Sequence, residues 1–302
     1  MVRGRVLRVL VAVAAISVGV VGVVGMGPSG ALPRTGGISI ADAAPEATPT
    51  ASAAPTIADR NAVPDGGRAQ AENPKDEVTT IWDLPAGSLI LNPVSGRQEV
   101  IDPEIARSAV LIGDSQSAGA LGVKPADTWV ERGLSARGYK VQFMGAGGIG
   151  FTATTSWASN YPDSLESGKM ILPYGNPALV VVQGGGNDAS AGASDAAILS
   201  SAERLLRALK ASYPESKFLF IGTLARGHLA GGRRTEVDTL LAGFAQRNGV
   251  PFVSAGDWLT RYGMTNKMAD GVHLTASGHK ELSQILASEL KALGLQGPDL
   301  TR

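Results

Sequence analysis

Three regimes of hydrophobic patterning divide the 302 residues of the chain. Residues 9–26 form an unbroken run of 18 apolar or weakly polar residues, preceded by Arg3, Arg5 and Arg8 and followed by Gly27-Pro28 and the small triplet Ser29-Gly30-Ala31. A basic start, an apolar stretch and a small-residue site make residues 1–31 a signal peptide, or a signal anchor, since the run is just long enough to span a bilayer. Either way the arginines stay inside and the remainder is expected outside the cytoplasm, secreted or held at the membrane by this segment alone. Residues 32–78, including APEATPTASAAPT and NAVPDGGRAQAENPKD, lose all apolar periodicity. They carry too little apolar surface to form a core and are expected to be a disordered Pro/Ala/Thr-rich linker.

From residue 79 to residue 302 short apolar runs alternate with amphipathic stretches. Residues 109–112 (AVLI), 139–144, 178–182, 218–221 and 251–253 predict five strands, and the first three stop at glycine. Continuous apolar strands are those buried on both faces of a parallel sheet. Ile198, Ala202, Leu205, Leu206 and Leu209 keep helical spacing, as do Leu282, Ile285, Leu286, Leu290 and Leu293. The alternation predicts one α/β domain, a three-layer α/β/α sandwich around a central, mostly parallel five-stranded sheet. In open sheets of this kind a ligand sits beyond the carboxyl ends of the strands, which is where chemistry is to be sought.

Composition narrows the chemistry. With 27 basic and 27 acidic side chains there is no electrostatic case for a nucleic-acid partner. With no cysteine there are no disulfides, thiolate metal sites or cysteine nucleophile.

Four motifs fall at the predicted strand ends or just before the last helix. They are Gly113-Asp114-Ser115-Gln116-Ser117-Ala118-Gly119, Gly145-Ala146-Gly147-Gly148-Ile149-Gly150, Gly184-Gly185-Gly186-Asn187-Asp188 and Asp270-Gly271-Val272-His273. A serine hydroxyl attacks near neutral pH only if a base takes its proton, and histidine is the side chain tuned for that. Of His228, His273 and His279, His273 alone has a carboxylate three positions earlier. That spacing lets Asp270 reach back to the ring and orient it. Ser115 stands at a strand-to-helix turn, where its own N–H faces a developing oxyanion, and Asn187 supplies an amide donor. Asp114 is read as a turn and cap residue, and Asp188 as a holder of the local Asn187 loop.

In this order the four blocks resemble those of the SGNH hydrolase (GDSL-type esterase/lipase) superfamily over roughly residues 105–293. The resemblance implies an SGNH/flavodoxin-like fold, with Ser115 as nucleophile, His273 as general base and acid, and Asp270 as its orienting carboxylate. It also implies an oxyanion hole made of the Ser115 N–H, a backbone N–H of the second glycine block and the Asn187 side chain. Gly148 is chosen for the second donor, and a slip of one residue keeps Gly147 open. Gln116 stands where many relatives carry leucine, a departure expected to matter little to catalysis. Position 117 is serine, so the Gly-x-Ser-x-Gly elbow of α/β-hydrolases is absent.

Other readings are weaker. Gly145-x-Gly147-x-x-Gly150 matches a dinucleotide fingerprint, but the following FTATTSWASN lacks the apolar stripe of the helix that fingerprint requires. No third ligand is spaced to join Asp270 and His279 around a metal, so no metal is expected, and His279 is placed on an exposed helix face. Phe151, Trp157, Tyr161 and Tyr174 lie in the long connection from Ile149 to Asn176 and are expected to wall an acyl or sugar pocket. His228, in a basic glycine-rich loop after the fourth strand, is a further substrate-contact candidate. The function expected is a secreted or membrane-tethered serine esterase acting through an acyl-enzyme on carboxylic esters of envelope glycans or lipids, with no cofactor. The alternatives are an O-acyltransferase using the same acyl-enzyme and a catalytically silent carbohydrate-binding module.

Overall fold

The computed structural model describes residues 80–225 and 231–299 of the protein. The leader, the whole of the linker and His228 lie outside the described residues. In chain order the strands are β1 (Leu89–Leu91), β2 (Gln98–Val100), β3 (Ser108–Gly113), β4 (Lys140–Gly145), β5 (Leu172–Pro173), β6 (Leu179–Gln183), β7 (Lys217–Ile221) and β8 (Phe252–Val253). The helices are α1 (Ser115–Ala118), α2 (Trp129–Ser135), α3 (Tyr161–Glu166), α4 (Gly186–Ser190), α5 (Asp195–Ser212), α6 (Arg233–Arg247), α7 (Trp258–Arg261) and α8 (Ala276–Ala292).

Five strands form an entirely parallel sheet in the order β4-β3-β6-β7-β8. These are the five expected strands, each displaced by no more than a residue or two. Their side chains separate by the strand period of two. Val110, Ile112, Val180, Val182 and Phe220 join α3, α5 and α6 on one face, packing with Leu165, Leu205, Leu209 and Leu241. Ala109, Leu111, Leu179, Val181, Leu219 and Ile221 face α2, α7 and α8 on the other, against Trp129, Leu134, Trp258, Leu282 and Leu286. All six residues of β3 and all five of β6 are buried, which is why these segments read as unbroken apolar runs rather than alternating ones.

Two features were not foreseen. A small second sheet, ordered β1-β2-β5, pairs β1 with β2 antiparallel and β2 with β5 parallel. It is anchored by a buried carboxylate: Glu99 accepts from Asn92 Nδ2 (2.8 Å), Ser95 Oγ (3.0 Å) and Ser212 Oγ (2.7 Å). Strands of two or three residues with a charge at the centre carry no periodic signal. The long connection after β4 is also not a pocket wall throughout. Phe151 and Tyr161 are fully buried, stack edge to face at 5.4 Å and belong to the core on the α5/α6 side. Tyr174 packs on Trp82 with ring centroids 5.5 Å apart. Of the four aromatics, Trp157 alone is strongly exposed, at 72%. No helix directly follows Gly150, so the dinucleotide reading has no structural counterpart.

Candidate active site

Sheet order explains why three of the four motifs meet. β4, β3 and β6 are neighbours, so the residues leaving their carboxyl ends (145–150, 114–119 and 184–188) lie side by side. The fourth motif reaches the same edge from the turn before α8.

Ser115 opens α1, a single helical turn. Asp114 caps it, its Oδ1 accepting the Gln116 N–H at 2.9 Å, so the cap reading of Asp114 holds. Asp114 is 2% exposed, and burial pushes its carboxyl up to about 6 against the opposing Gln116 bond and Arg234 charge. On the other side, Gly271 turns the chain at φ +80°, a conformation that suits a residue without Cβ. That turn brings Asp270 beneath its neighbours. Asp270 Oδ1 accepts the backbone N–H groups of Val272 (2.9 Å) and His273 (2.7 Å), and Asp270 Oδ2 lies 2.7 Å from His273 Nδ1. Partial burial raises the Asp270 carboxyl, but the bonds from the His273 ring and the two backbone amides outweigh it and hold the group at about 2. Asp270 is therefore an anion across any ordinary working pH. A neutral His273 with its proton on Nδ1 donates to Asp270, leaving Nε2 to accept from an alcohol. Ser115 Oγ lies 3.0 Å from that Nε2. Ser115, His273 and Asp270, 158 and 3 residues apart in sequence, thus stand in hydrogen-bonded series.

Asn187, in the first turn of α4, donates one amide hydrogen to Ile149 O at 2.8 Å, so the second glycine block and the Asn187 helix are tied together. Among the described residues the other hydrogen of that amide has no hydrogen-bond partner. A Cβ built on Gly147 would stand 3.6 Å from the Cβ of Ser115, and one on Gly148 would meet the Thr155 methyl at 2.8 Å. Gly147 therefore borders Ser115, and Gly148 is covered by the turn that carries Thr155. Thr155 closes a turn by accepting the Ala158 N–H on its Oγ1 at 3.0 Å, and the exposed Trp157 sits at its tip.

Two expectations need correction. Asp188 does not hold its own loop. Fully buried, it accepts the N–H groups of Phe151 (3.0 Å), Thr152 (2.6 Å) and Ala153 (3.0 Å) and the Thr152 hydroxyl (2.7 Å), clamping the segment that follows the second glycine block. His279 is not on an exposed face. It is 2% exposed, and its Nδ1 accepts the Trp129 N–H at 3.0 Å. Burial pushes its imidazole down to about 4, assisted by the nearby His273 and Arg132, so it is a neutral structural acceptor. Sequence reasoning also passed over Gln116, whose Nε2 donates to Val272 O at 2.9 Å beside His273. Its departure from the leucine of relatives was the signal that could have found it.

A sequence profile described as the GDSL-like lipase/acylhydrolase family matches residues 111–281. No curated protein matches the chain by sequence. Among solved structures, an active-site mutant of a family two carbohydrate esterase from Clostridium thermocellum is similar at 17% identity, covering 66% of this chain and 68% of the other with a TM-score of 0.50. A family two carbohydrate esterase from Cellvibrio japonicus is similar at 18% identity, covering 66% of this chain and 64% of the other, again with a TM-score of 0.50. At these identities the likeness is one of fold, while the profile covers more than half of the chain and runs from β3 into α8. The chain belongs to the GDSL-like lipase/acylhydrolase family and is a carboxylic ester hydrolase.

Proposed function

We propose that the protein hydrolyses acyl esters through an acyl-enzyme on Ser115, with His273 as general base and acid and Asp270 as its orienting anion. The observation that carries this reading is the hydrogen-bonded series Ser115 Oγ–His273 Nε2 (3.0 Å) and His273 Nδ1–Asp270 Oδ2 (2.7 Å). Ser115 Oγ attacks the acyl carbonyl as its proton passes to His273 Nε2. The imidazolium so formed is stabilised by Asp270. The negative oxygen of the tetrahedral intermediate is received by the Ser115 N–H, the free Asn187 amide hydrogen and the N–H of Gly148 or, one residue earlier, of Gly147. One such donor contributes about 3 kcal/mol. His273 then protonates the departing alcohol, and water enters by the same route to release the acid and restore the serine. A fluorophosphonate, which phosphonylates activated serines, is expected to add once per chain at Ser115, read by mass spectrometry of the peptide. Labelling elsewhere, or no labelling of a protein that hydrolyses p-nitrophenyl acetate, overturns the nucleophile.

The substrate we favour is an acylated glycan of the cell envelope, presented to a protein that residues 1–31 export and residues 32–78 tether. No helix among the described residues is long and apolar enough to cross a membrane, so on this reading any membrane attachment comes from the leader. Support on the alcohol side comes from Trp157, an exposed indole at the tip of the turn that rests on Gly148. An exposed indole presents a flat apolar face with a polar edge, suited to the partly apolar face of a sugar ring. On this reading Trp157→Ala raises KM for an acetylated oligosaccharide about fivefold more than for p-nitrophenyl acetate, an increment of roughly 1 kcal/mol. Equal effects on the two esters remove Trp157 from the alcohol site.

A further inference from the structure

The turn that carries Asp270 and His273 lies at the surface. Ala269 and Asp270 are exposed, and Gly271, Val272 and His273 are half-buried. Its internal bonds, Ala269 N–H to His273 O (2.7 Å) and the two amides on Asp270, shape it without locating it. Among the described residues, two hydrogen bonds join residues 269–273 to the rest of the fold. One is His273 Nε2 with Ser115 Oγ; the other is Gln116 Nε2 to Val272 O at 2.9 Å. The first is the bond the chemistry consumes when the proton moves. The second persists when the proton moves, and it holds the tip of a turn whose ends are fixed by buried Leu274 and by the Thr275 N–H on Lys267 O (2.7 Å).

Gln116 is built for that task. It is 3% exposed, and its backbone N–H is fixed on Asp114. Its Oε1 accepts from the indole N–H of Trp129 at 3.3 Å, and Trp129 is fully buried. The backbone N–H of Trp129 in turn bonds His279 Nδ1, in the first turn of the helix that follows the catalytic turn. The two partners of the Gln116 side chain are of opposite kind: an indole only donates, and a backbone carbonyl only accepts. A primary amide satisfies both at once. Leucine satisfies neither, and an ionised carboxylate lacks the donor.

We propose that Gln116 is a positioning residue for acyl transfer: its amide, oriented by Trp129, holds the Val272 carbonyl and so sets the distance and direction of His273 Nε2 from Ser115. The inference rests on the reading of Ser115, His273 and Asp270 as the reacting groups. It does not require Gln116 to touch substrate. Near-attack geometry is steep, since a misplacement of about 1 Å can cost roughly 10²-fold in rate.

The test uses the full chain with Gln116→Glu and Gln116→Met, assayed above neutral pH. Gln116→Glu, ionised, keeps an acceptor for the Trp129 indole, loses the donor to Val272 and adds a charge; Gln116→Met keeps the length and removes both bonds without adding one. In each, kcat per titrated active site is expected to fall about tenfold with KM within about twofold, and the rate of fluorophosphonate labelling of Ser115 to fall in parallel. The downfield proton resonance of the His273–Asp270 hydrogen bond is expected to broaden, a change that loss of stability alone does not produce in the folded fraction. If either variant fails to fold, the other carries the test. Wild-type kcat and labelling rate per folded molecule, with Ser115→Ala inactive, overturn the role of Gln116 and leave the triad standing. An active Ser115→Ala overturns the triad itself.

Discussion

Replacing Ser115 by alanine is expected to lower kcat for p-nitrophenyl acetate by about 10⁴- to 10⁶-fold while KM stays within a few-fold of wild type. The size follows from what remains. Without the hydroxyl there is no acyl-enzyme, and His273 has only water to activate, at a position that the Ser115 oxygen formerly defined. The residual rate is what binding and the oxyanion donors supply. The substitution leaves the fold alone, because capping of α1 depends on the Asp114 carboxylate and the Gln116 N–H, neither of which involves the serine hydroxyl. Melting temperature is therefore the control, expected unchanged within error. The companion change Asp270→Asn removes the anion that burial fails to neutralise. It also offers His273 Nδ1 a donor where it met an acceptor, which turns the ring to the wrong tautomer and costs about 10⁴-fold. Turnover within tenfold of wild type in either purified variant, freed of trace wild-type enzyme, would contradict the series of bonds from residue 115 to residue 270.

The legible parts of this fold are those with long-range redundancy. β3 and β6 are buried on both faces and so read as apolar runs, and α5 and α8 bury one stripe and so keep helical spacing. The motif residues at the strand ends were legible because each needs a particular side chain: an alcohol, an imidazole, a carboxylate, an amide. What stayed hidden depends on who stands opposite. Phe151 and Tyr161 read as walls of an acyl or sugar pocket until the fold places Phe220 and the α5 face above them. His279 and Asp188 were given surface or local roles because nothing near them in the chain reveals that their partners are Trp129 and residues 151–153. Gln116 was dismissed for the same reason: its partner carbonyl is 156 residues away. Backbone carbonyls and amides are common to every residue, so a side chain that bonds one of them leaves no matching signal at the other end. The small sheet escaped because its strands are too short to show a period.

The Asp188 clamp is where that hidden layer is expected to matter most for stability. Its carboxylate receives three backbone N–H groups and one hydroxyl from residues 151–153. Gly150 makes room for it: a Cβ there would stand 2.2 Å from Asp188 Oδ2. Asp188→Ala strands these donors, with the amides of Phe151 and Ala153 buried. A buried donor left without a partner costs about 1–3 kcal/mol, so a total near 4 kcal/mol is expected after relaxation and water entry. For a domain of this size that is a fall in melting temperature of roughly 10 °C. Asp188→Asn keeps the shape but turns an amide N–H₂ toward N–H donors, so a fall of about half that size is expected. Because Asn187 next to it donates to Ile149 O, loosening residues 151–153 also loosens the edge on which Ser115 works. Activity at 25 °C is expected to drop together with stability, whereas the Ser115 variant separates the two. A melting temperature for Asp188→Ala within about 2 °C of wild type, a change worth less than one hydrogen bond, would mean that water satisfies these amides and that the clamp is not what holds the second glycine block in place.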